Sequence, residues 1–590
     1  MSAASPPPTA DGDPAWVGVR WCLALLDGLL AGGVRHLVLS PGSRSTPVLL
    51  AAQHRPALTL TPILDERSAA FFALGLARAG ARPVALLATS GSAPAHWYPA
   101  VMEASEAGVP LVLLSADRPP ELRGWGANQT TDQTRLFGTQ VREFHDPGAP
   151  VDTPAARRAL HALGRRAAAV SQGGRPGPVH INLPLREPLV PRTDCTLPTP
   201  DPLPADDEAG DDATLTLALP SGLKARLQGR GLIYCGPDSP RPGFPAAVLR
   251  LAAALGVPVL ADPLSELRFG ADPGVDLALA PSPRITRYKS MVRNPGAAAA
   301  LRPDWVLRYG RAPISKTVLE WLPGIPTILV DPAERWSDPA HDLAREGSLH
   351  LALDPTALCR ALAADPPAPA DPAWLGHWTQ AEERLAALAT DYLATAPWCE
   401  AHLIGDLVAA LPAGEGLLCA NSLPIRQLET WSGTREAPLK VFGNRGLSGI
   451  DGQVSTLAGL NAAGVPTTGL LGDLSLLHDL SGLLLAARLD RPCIVLNNGG
   501  GRIFDYLPQH GLPDFERLWR TPRPVAIEAL AGACGLRHRR VAEAGGWREA
   551  LAEGLTGGPG LIIEVMIDAD QSREVHMAFR QRVAGAHLIG

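Results

Sequence analysis

Aromatic residues are scarce in this 590-residue chain, at 5%, and neither sign of charge dominates: 53 Lys and Arg face 59 Asp and Glu, a formal net charge of -6. A basic field able to hold a nucleic-acid backbone is thereby excluded, so any anionic ligand must be held by local arginines, helix ends or metal. The eight cysteines (Cys22, Cys195, Cys235, Cys359, Cys399, Cys419, Cys493, Cys534) include no CxxC pair and have no His-rich neighbour. That excludes a disulfide framework or zinc knot and suits a reducing cytosol. No stretch approaches the roughly 20 apolar residues needed to cross a bilayer. The opening MSAASPPPTADGDP lacks the basic and apolar regions of a signal peptide and reads as a frayed tail. These absences lead us to expect a soluble, cytoplasmic protein without nucleic-acid or membrane partners.

What is present is a repeated alternation. Two Pro-rich breaks, Pro188 to Asp212 and Asp365 to Asp371, read as linkers. The domains expected are 1–190, 213–364 and 372–590. Each alternates apolar runs with helical patterns: HLVLS, PVALLAT and PLVLLSA in the first; RGLIYCG, VPVLADP, DWVLRYG and PTILVDP in the second; GLLCAN, TTGLLGD, CIVLNNG and GLIIEVMI in the third. Such alternation predicts α/β architecture, with three doubly wound parallel sheets covered on both faces and ligands beyond the strands' carboxyl ends. The first and third segments also echo one another, with 21 residues from Thr89 to Pro110 and 19 from Asp473 to Pro492. An old duplication and the general likeness of βαβ units both account for the echo.

The strongest local signal is Gly472-Asp473 after one strand, followed 25 positions on by Asn497-Asn498 after another, then three glycines. Two strand ends would then bring a carboxylate, an amide oxygen and an exposed carbonyl to one point, a hard-oxygen set suited to magnesium and phosphate. The same residues can also simply end strands. The segment TPILDERSAAFFALGLARA reads as a strand end, an acidic turn and an amphipathic helix. In GNRGLSGIDGQVSTLAGL, glycines at 443, 446, 449 and 452 predict a loop entering a helix near Gln453.

GD…NN with a distant acid before a helix resembles the thiamine-diphosphate enzyme family. The resemblance implies pyrimidine-binding, central and diphosphate-binding domains, and thiamine diphosphate with Mg2+ (or Mn2+) as cofactors. Carried over residue by residue, the metal ligands are Asp473, Asn498 and the Gly500 carbonyl. The cofactor residues are Glu66, Thr89, Ser422, Ser448, Ile450, Gly472, Asp473, Leu474, Ser475, Asn498 and Gly500. Glu66 is the activating acid on the aminopyrimidine ring, with a pKa raised by burial. Ile450 is the apolar residue under the bent cofactor. Leu474 stands where many relatives have Gly. Sites shared between subunits imply a homo-oligomer, dimer or tetramer.

Loop cations and polar groups cluster at the predicted strand ends: Ser43 and Arg44, Arg118, Asn128 and Gln129, Lys316, Ser422 and Arg426, Arg445. A substrate pair with several carboxylates accounts for that surplus. SPGSRSTP, DERSAAFFALG, TSGSAPA, SADRPPELRGWGANQ, GNRGLSGIDG, GDLSLLHD and NNGGGRIFDYLP resemble the menaquinone-biosynthesis branch of the family, the SEPHCHC synthases. That branch implies decarboxylation of 2-oxoglutarate and 1,4-addition of the succinyl-semialdehyde carbanion to isochorismate. Arg426 and Ser422 would hold the oxoglutarate end; Ser43, Arg44, Arg118, Asn128, Gln129, Lys316 and Arg445 would line the substrate site. Gln129 would assist proton transfer, and Ile503, Phe504 and Leu507 would form an apolar wall. Glu66, Gln129 and Arg426 are the catalytic candidates. The sequence departs from the pattern at Thr317, where another cation is expected, and at Gly499, where a third Asn is expected. The central segment resembles a nucleotide-binding fold but lacks GxGxxG, so no flavin is assigned. Other readings are an acetolactate-synthase-like carboligase or 2-oxoacid decarboxylase, and a cofactor-free regulatory relic of the fold.

Overall fold

A computed structural model describes residues 13–192, 194, 197, 219–237, 243–271 and 282–590. The expected N-terminal tail, Cys195 and most of the first linker lie outside the described residues. The second break, 365–371, is irregular chain between the helices Pro355–Ala364 and Pro372–Leu393.

Among the described residues, eighteen strands form three six-stranded, all-parallel sheets. The first contains β1 (His36–Leu39), β2 (Thr59–Pro62), β3 (Val84–Ala88), β4 (Leu111–Asp117), β5 (Phe144–His145) and β6 (Val179–Pro184), in the order β2-β1-β3-β4-β6-β5. The second contains β7 (Gly231–Cys235), β8 (Val259–Ala261), β9 (Arg284–Ile285), β10 (Trp305–Tyr309), β11 (Thr327–Val330) and β12 (Leu349–Leu351), in the order β12-β11-β10-β7-β8-β9. The third contains β13 (Gly416–Cys419), β14 (Lys440–Phe442), β15 (Thr467–Gly472), β16 (Cys493–Asn497), β17 (Arg537–Val541) and β18 (Leu561–Met566), in the order β14-β13-β15-β16-β18-β17. Inner strands such as β3, β4, β7 and β10 are buried at every position, as parallel sheets covered on both faces require.

Renumbered within each sheet, the first and third share one order, 2-1-3-4-6-5. The sequence echo is therefore an identity of topology. The middle sheet has the 3-2-1-4-5-6 order of a dinucleotide-binding fold. In the first and third sheets the chain reverses direction beside the first strand. The crevices beyond β1/β3 and β13/β15 are thus the switch points where ligands of such sheets bind.

By internal contacts the chain forms two compact units. One comprises Met1–Asp212 with Asn444–Val465 and Asp479–Leu485; the other comprises Ala213–Gly443, Pro466–His478 and Ala486–Gly590. Within the first, the helix Glu66–Gly80 packs on β1 and β3 and on the helix Gln453–Ala462. The amphipathic helix expected after the acidic turn at 65–67 is in fact buried at every position from Ser68 to Ala77, because both the sheet and a second helix pack on it.

The sequence reading also found no stretch long enough to cross a membrane, yet the helix Pro14–Ala31, with mean hydropathy 1.3 over 18 residues, is one by length and composition. It is packed within the first unit, with Val19, Cys22, Leu25 and Leu26 at most 1% exposed. Gly28 on this helix meets the helix Pro154–Gln172 so closely that a Cβ there would lie 2.0 Å from the His161 carbonyl oxygen.

Candidate active site

Beyond β1 and β3, Arg44 is 4% exposed: Nη1 donates to the Leu185 carbonyl at 2.9 Å and Nη2 to the Glu187 carboxylate at 2.9 Å. Its backbone N–H donates to Thr89 Oγ1 at 3.3 Å, joining the two strand ends of the switch point. The Thr89 side chain fills the space left by Gly42, where a Cβ would lie 2.3 Å away. Arg118 donates from Nη1 to Ser90 Oγ at 2.8 Å, and Gln129 donates from Nε2 to the Ser90 carbonyl at 3.0 Å. Burial, and then the neighbouring Arg44 charge, push the Arg118 pKa below its usual value. Arg44, Thr89, Arg118 and Gln129 are therefore one group built around Ser90. Ser43 and Asn128 lie at its exposed rim.

Glu66 opens its helix because Asp65 caps it, accepting the N–H groups of Arg67 at 2.8 Å and Ser68 at 3.2 Å. Glu66 is thereby freed from capping. It is half-buried and makes no hydrogen bond among the described residues. The burial expected around it is only partial.

The loop that follows β14 is held by a residue the sequence reading missed. Glu103, 4% exposed, accepts the N–H groups of Gly446 and Leu447, both at 2.7 Å. A Cβ on Gly446 would lie 2.6 Å from the Glu103 carbonyl oxygen, so glycine is needed there. Arg445 and Ile450 are half-buried and Ser448 is exposed; the helix starts at Gln453, as the glycine spacing predicts. No sequence signal marks Glu103, which sits in an ordinary Ala-rich helix.

In the third sheet, Asp473 and Asn498 follow the ends of the adjacent strands β15 and β16. Asp473 is 7% exposed and accepts N–H groups from Leu474 at 2.7 Å and Gly500 at 2.8 Å. Burial raises its pKa, while those amides and Arg502 pull the other way. The Asn498 side chain is half-buried and makes no hydrogen bond among the described residues. Gly500 has φ +122°, and a Cβ on it would lie 2.5 Å from the Arg520 carbonyl oxygen. Gly499 has φ +78°, a conformation open to Gly and Asn alike. At Gly472 a Cβ would meet nothing within 4 Å, so the strand ends on bare backbone. Leu474 is half-buried and Ser475 is buried.

This donor set fits a divalent cation carrying a diphosphate: one buried carboxylate, one amide oxygen and one glycine carbonyl, beside an open strand end. Among the described residues, no group of three His, Cys, Asp or Glu side chains could hold a metal.

Beyond β13, Ser422 sits at φ +72°, ψ -129° and precedes the helix Leu423–Trp431. Ser422, Ser448 (φ +64°) and Gln129 (φ +54°) are non-glycine residues in left-handed backbone, and strain of this kind concentrates at working sites. Arg426 donates from Nη1 to the Ser422 carbonyl at 2.6 Å. It lines a cavity of about 300 Å³ with Lys316, Thr317, Ile503 and Leu507. Phe504 packs instead over Gly501, where a Cβ would lie 3.2 Å from its ring. Lys289, Arg293, His576 and Arg580 also line this cavity and were missed in the sequence, because they come from helices remote from any strand-end motif.

Residues 23–136 match the family model described as thiamine pyrophosphate enzyme, N-terminal TPP binding domain. Together with three parallel sheets and paired switch points, this defines a thiamine-diphosphate enzyme. The chain is 39% identical to a 2-succinyl-5-enolpyruvyl-6-hydroxy-3-cyclohexene-1-carboxylate synthase of Geobacillus thermodenitrificans, over 95% of each chain. It is 40% identical to the enzyme so named in Dechloromonas aromatica, over 93% of this chain and 99% of that one. Identity to the Chloroflexus aurantiacus counterpart is 41%, over 96% of each. The chain belongs to this synthase family.

Proposed function

We propose that the chain decarboxylates 2-oxoglutarate and adds the four-carbon fragment to isochorismate, forming 2-succinyl-5-enolpyruvyl-6-hydroxy-3-cyclohexene-1-carboxylate for menaquinone. The reading is supported above all by the likeness to synthases of that name along nearly the whole chain. Thiamine diphosphate, when bound, supplies the carbon nucleophile and electron sink.

The chain's own residues have separable tasks in this reading. Asp473, Asn498 and the Gly500 carbonyl would hold Mg2+ or Mn2+, and Ser475 and Leu474 would lie near the diphosphate. Glu66 would hold or release a proton toward the aminopyrimidine ring, and Ile450 would give the cofactor an apolar contact. Ser422 and Arg426 bind the 2-oxo acid. Arg44 and Arg118 hold isochorismate carboxylates, and Gln129 helps place a proton on the acceptor. Ile503 and Leu507 exclude water. Because Glu66 lacks full burial within its own chain, we infer a homo-oligomer with sites completed by a second copy. A cytoplasmic setting agrees with the free, mostly buried thiols.

The test is a coupled assay with isochorismate and 2-oxoglutarate, read as carbon dioxide release and product formation. Turnover of pyruvate but not of this pair would make the chain a different carboligase. Titration with thiamine diphosphate and Mg2+ that gives no heat with folded protein would make it a cofactor-free relic.

A further inference from the structure

The cavity beside Arg426 is lined by five basic side chains, Lys289, Arg293, Lys316, Arg426 and Arg580, and one acidic, Glu320. Two cations have partners: Lys289 Nζ lies 2.9 Å from the buried Glu429 carboxylate, and Lys316 Nζ lies 3.5 Å from Glu320. The guanidinium groups of Arg293, Arg426 and Arg580 have no carboxylate at ion-pairing distance among the described residues. Arg426 is tied to the Ser422 carbonyl. Arg580 lies over the Tyr506 ring, 5.1 Å from its centroid, and donates only to the Met577 sulfur at 3.5 Å. Arg293 makes no hydrogen bond among the described residues. Burial, and then the Arg580 charge, push its pKa down to about 10, with the more distant Glu429 carboxylate opposing.

His576 on the same wall is 7% exposed; its Nδ1 is engaged by the Ser572 carbonyl at 2.7 Å, and its Nε2 has no partner. Partly buried guanidinium groups without carboxylates are costly unless an anion completes them, and a carboxylate accepts from their forked donors in pairs. Facing them, Ile314, Leu423, Ile503 and Leu507 offer apolar surface to a short carbon chain.

We propose that Arg293 and Arg580 bind the far carboxylate of an aliphatic 2-oxo diacid and so set the enzyme's preference for a dicarboxylic donor over pyruvate. This rests on the function proposed above and assigns its donor specificity to two helices, Tyr288–Arg293 and Ala569–Gly585. His576 Nε2 adds a further polar contact on that wall.

Glutarate, which carries both carboxylates but no keto group, is the probe. Titrated into holoenzyme loaded with thiamine diphosphate and Mg2+, it should bind the wild type, and Arg293→Met or Arg580→Met should each weaken it about 10- to 100-fold. Arg293→Lys should restore part of the loss. In turnover, the kcat/KM ratio of 2-oxoglutarate to 2-oxopentanoate should fall by the same factor, mainly through KM. Glutarate affinity unchanged in both methionine variants, with unaltered circular dichroism, overturns the site. Wild type that binds glutarate through Arg293 but fails to turn over 2-oxoglutarate with isochorismate overturns the function instead and leaves the anion site standing.

Discussion

The Asp473 carboxylate accepts the backbone N–H of Gly500 at 2.8 Å, so the acid after β15 and the glycine turn after β16 are one structural piece. The acid orients the turn, and within the turn the Gly500 carbonyl accepts the Arg502 N–H at 2.8 Å, leaving its second lone pair for a ligand. Asp473→Ala should therefore remove both one proposed ligand and the brace of the second. Metal-dependent binding of thiamine diphosphate should weaken by about 100-fold or more, beyond the usual effect of losing an outer partner. Calorimetric titration with and without Mg2+ measures it; retained metal-dependent affinity would remove Asp473 from the site.

Glu66→Gln separates binding from chemistry. The amide preserves size and hydrogen bonding but cannot exchange a carboxyl proton. Cofactor affinity should stay within a few-fold, while kcat should fall by about 100- to 10,000-fold. A fully active variant would show that the acid has no part in activating the cofactor.

Eleven strands were readable as apolar runs, and all eleven form. Those not read as runs are mostly sheet edges: β12, β9, β14, β5 and β17, with β2 read only as a strand end before Asp65. Edge strands are short or partly exposed, and β17 reads Arg-His-Arg-Arg-Val, so hydrophobic periodicity carries no signal there. The remaining strand, β6, is interior but is interrupted by His180 and Asn182, which serve a buried polar network. The meeting of Asp473 and Gly500 was legible because glycine and acid mark strand ends there. Glu103, Arg293 and Arg580 were not legible, since helices far apart in sequence bring them to their places.

That buried network gives a pH prediction. His180 is fully buried; its Nε2 lies 2.7 Å from Ser115 Oγ, and desolvation pushes its pKa down from 6.5 to about 3, with only Asp146 opposing. The unfolded chain takes up this proton more readily than the folded one. The histidine's contribution to stability is whole above about pH 6.5 and is lost progressively as pH falls toward 3. Relative to His180→Gln, the wild type should lose melting temperature on acidification through that window. Parallel melting curves against pH for the two proteins would sink this account.

The helices Glu66–Gly80 and Gln453–Ala462 touch backbone to backbone through two glycines. A Cβ on Gly75 would lie 2.2 Å from the Thr456 carbonyl oxygen, and one on Gly459 would lie 2.1 Å from the Phe72 carbonyl oxygen. Neither oxygen belongs to a side chain that can turn away, so alanine at either position must push the helices apart. Gly75→Ala and Gly459→Ala should each destabilise by about 1–3 kcal/mol, despite alanine's better helix propensity. The first helix begins at Glu66, so the displacement should also reach this proposed activating acid. Each variant should therefore lose kcat while keeping Asp473-dependent metal binding. Thermal unfolding together with kcat measures both effects. A stable variant with normal kcat would mean that the close approach of these helices does not position Glu66.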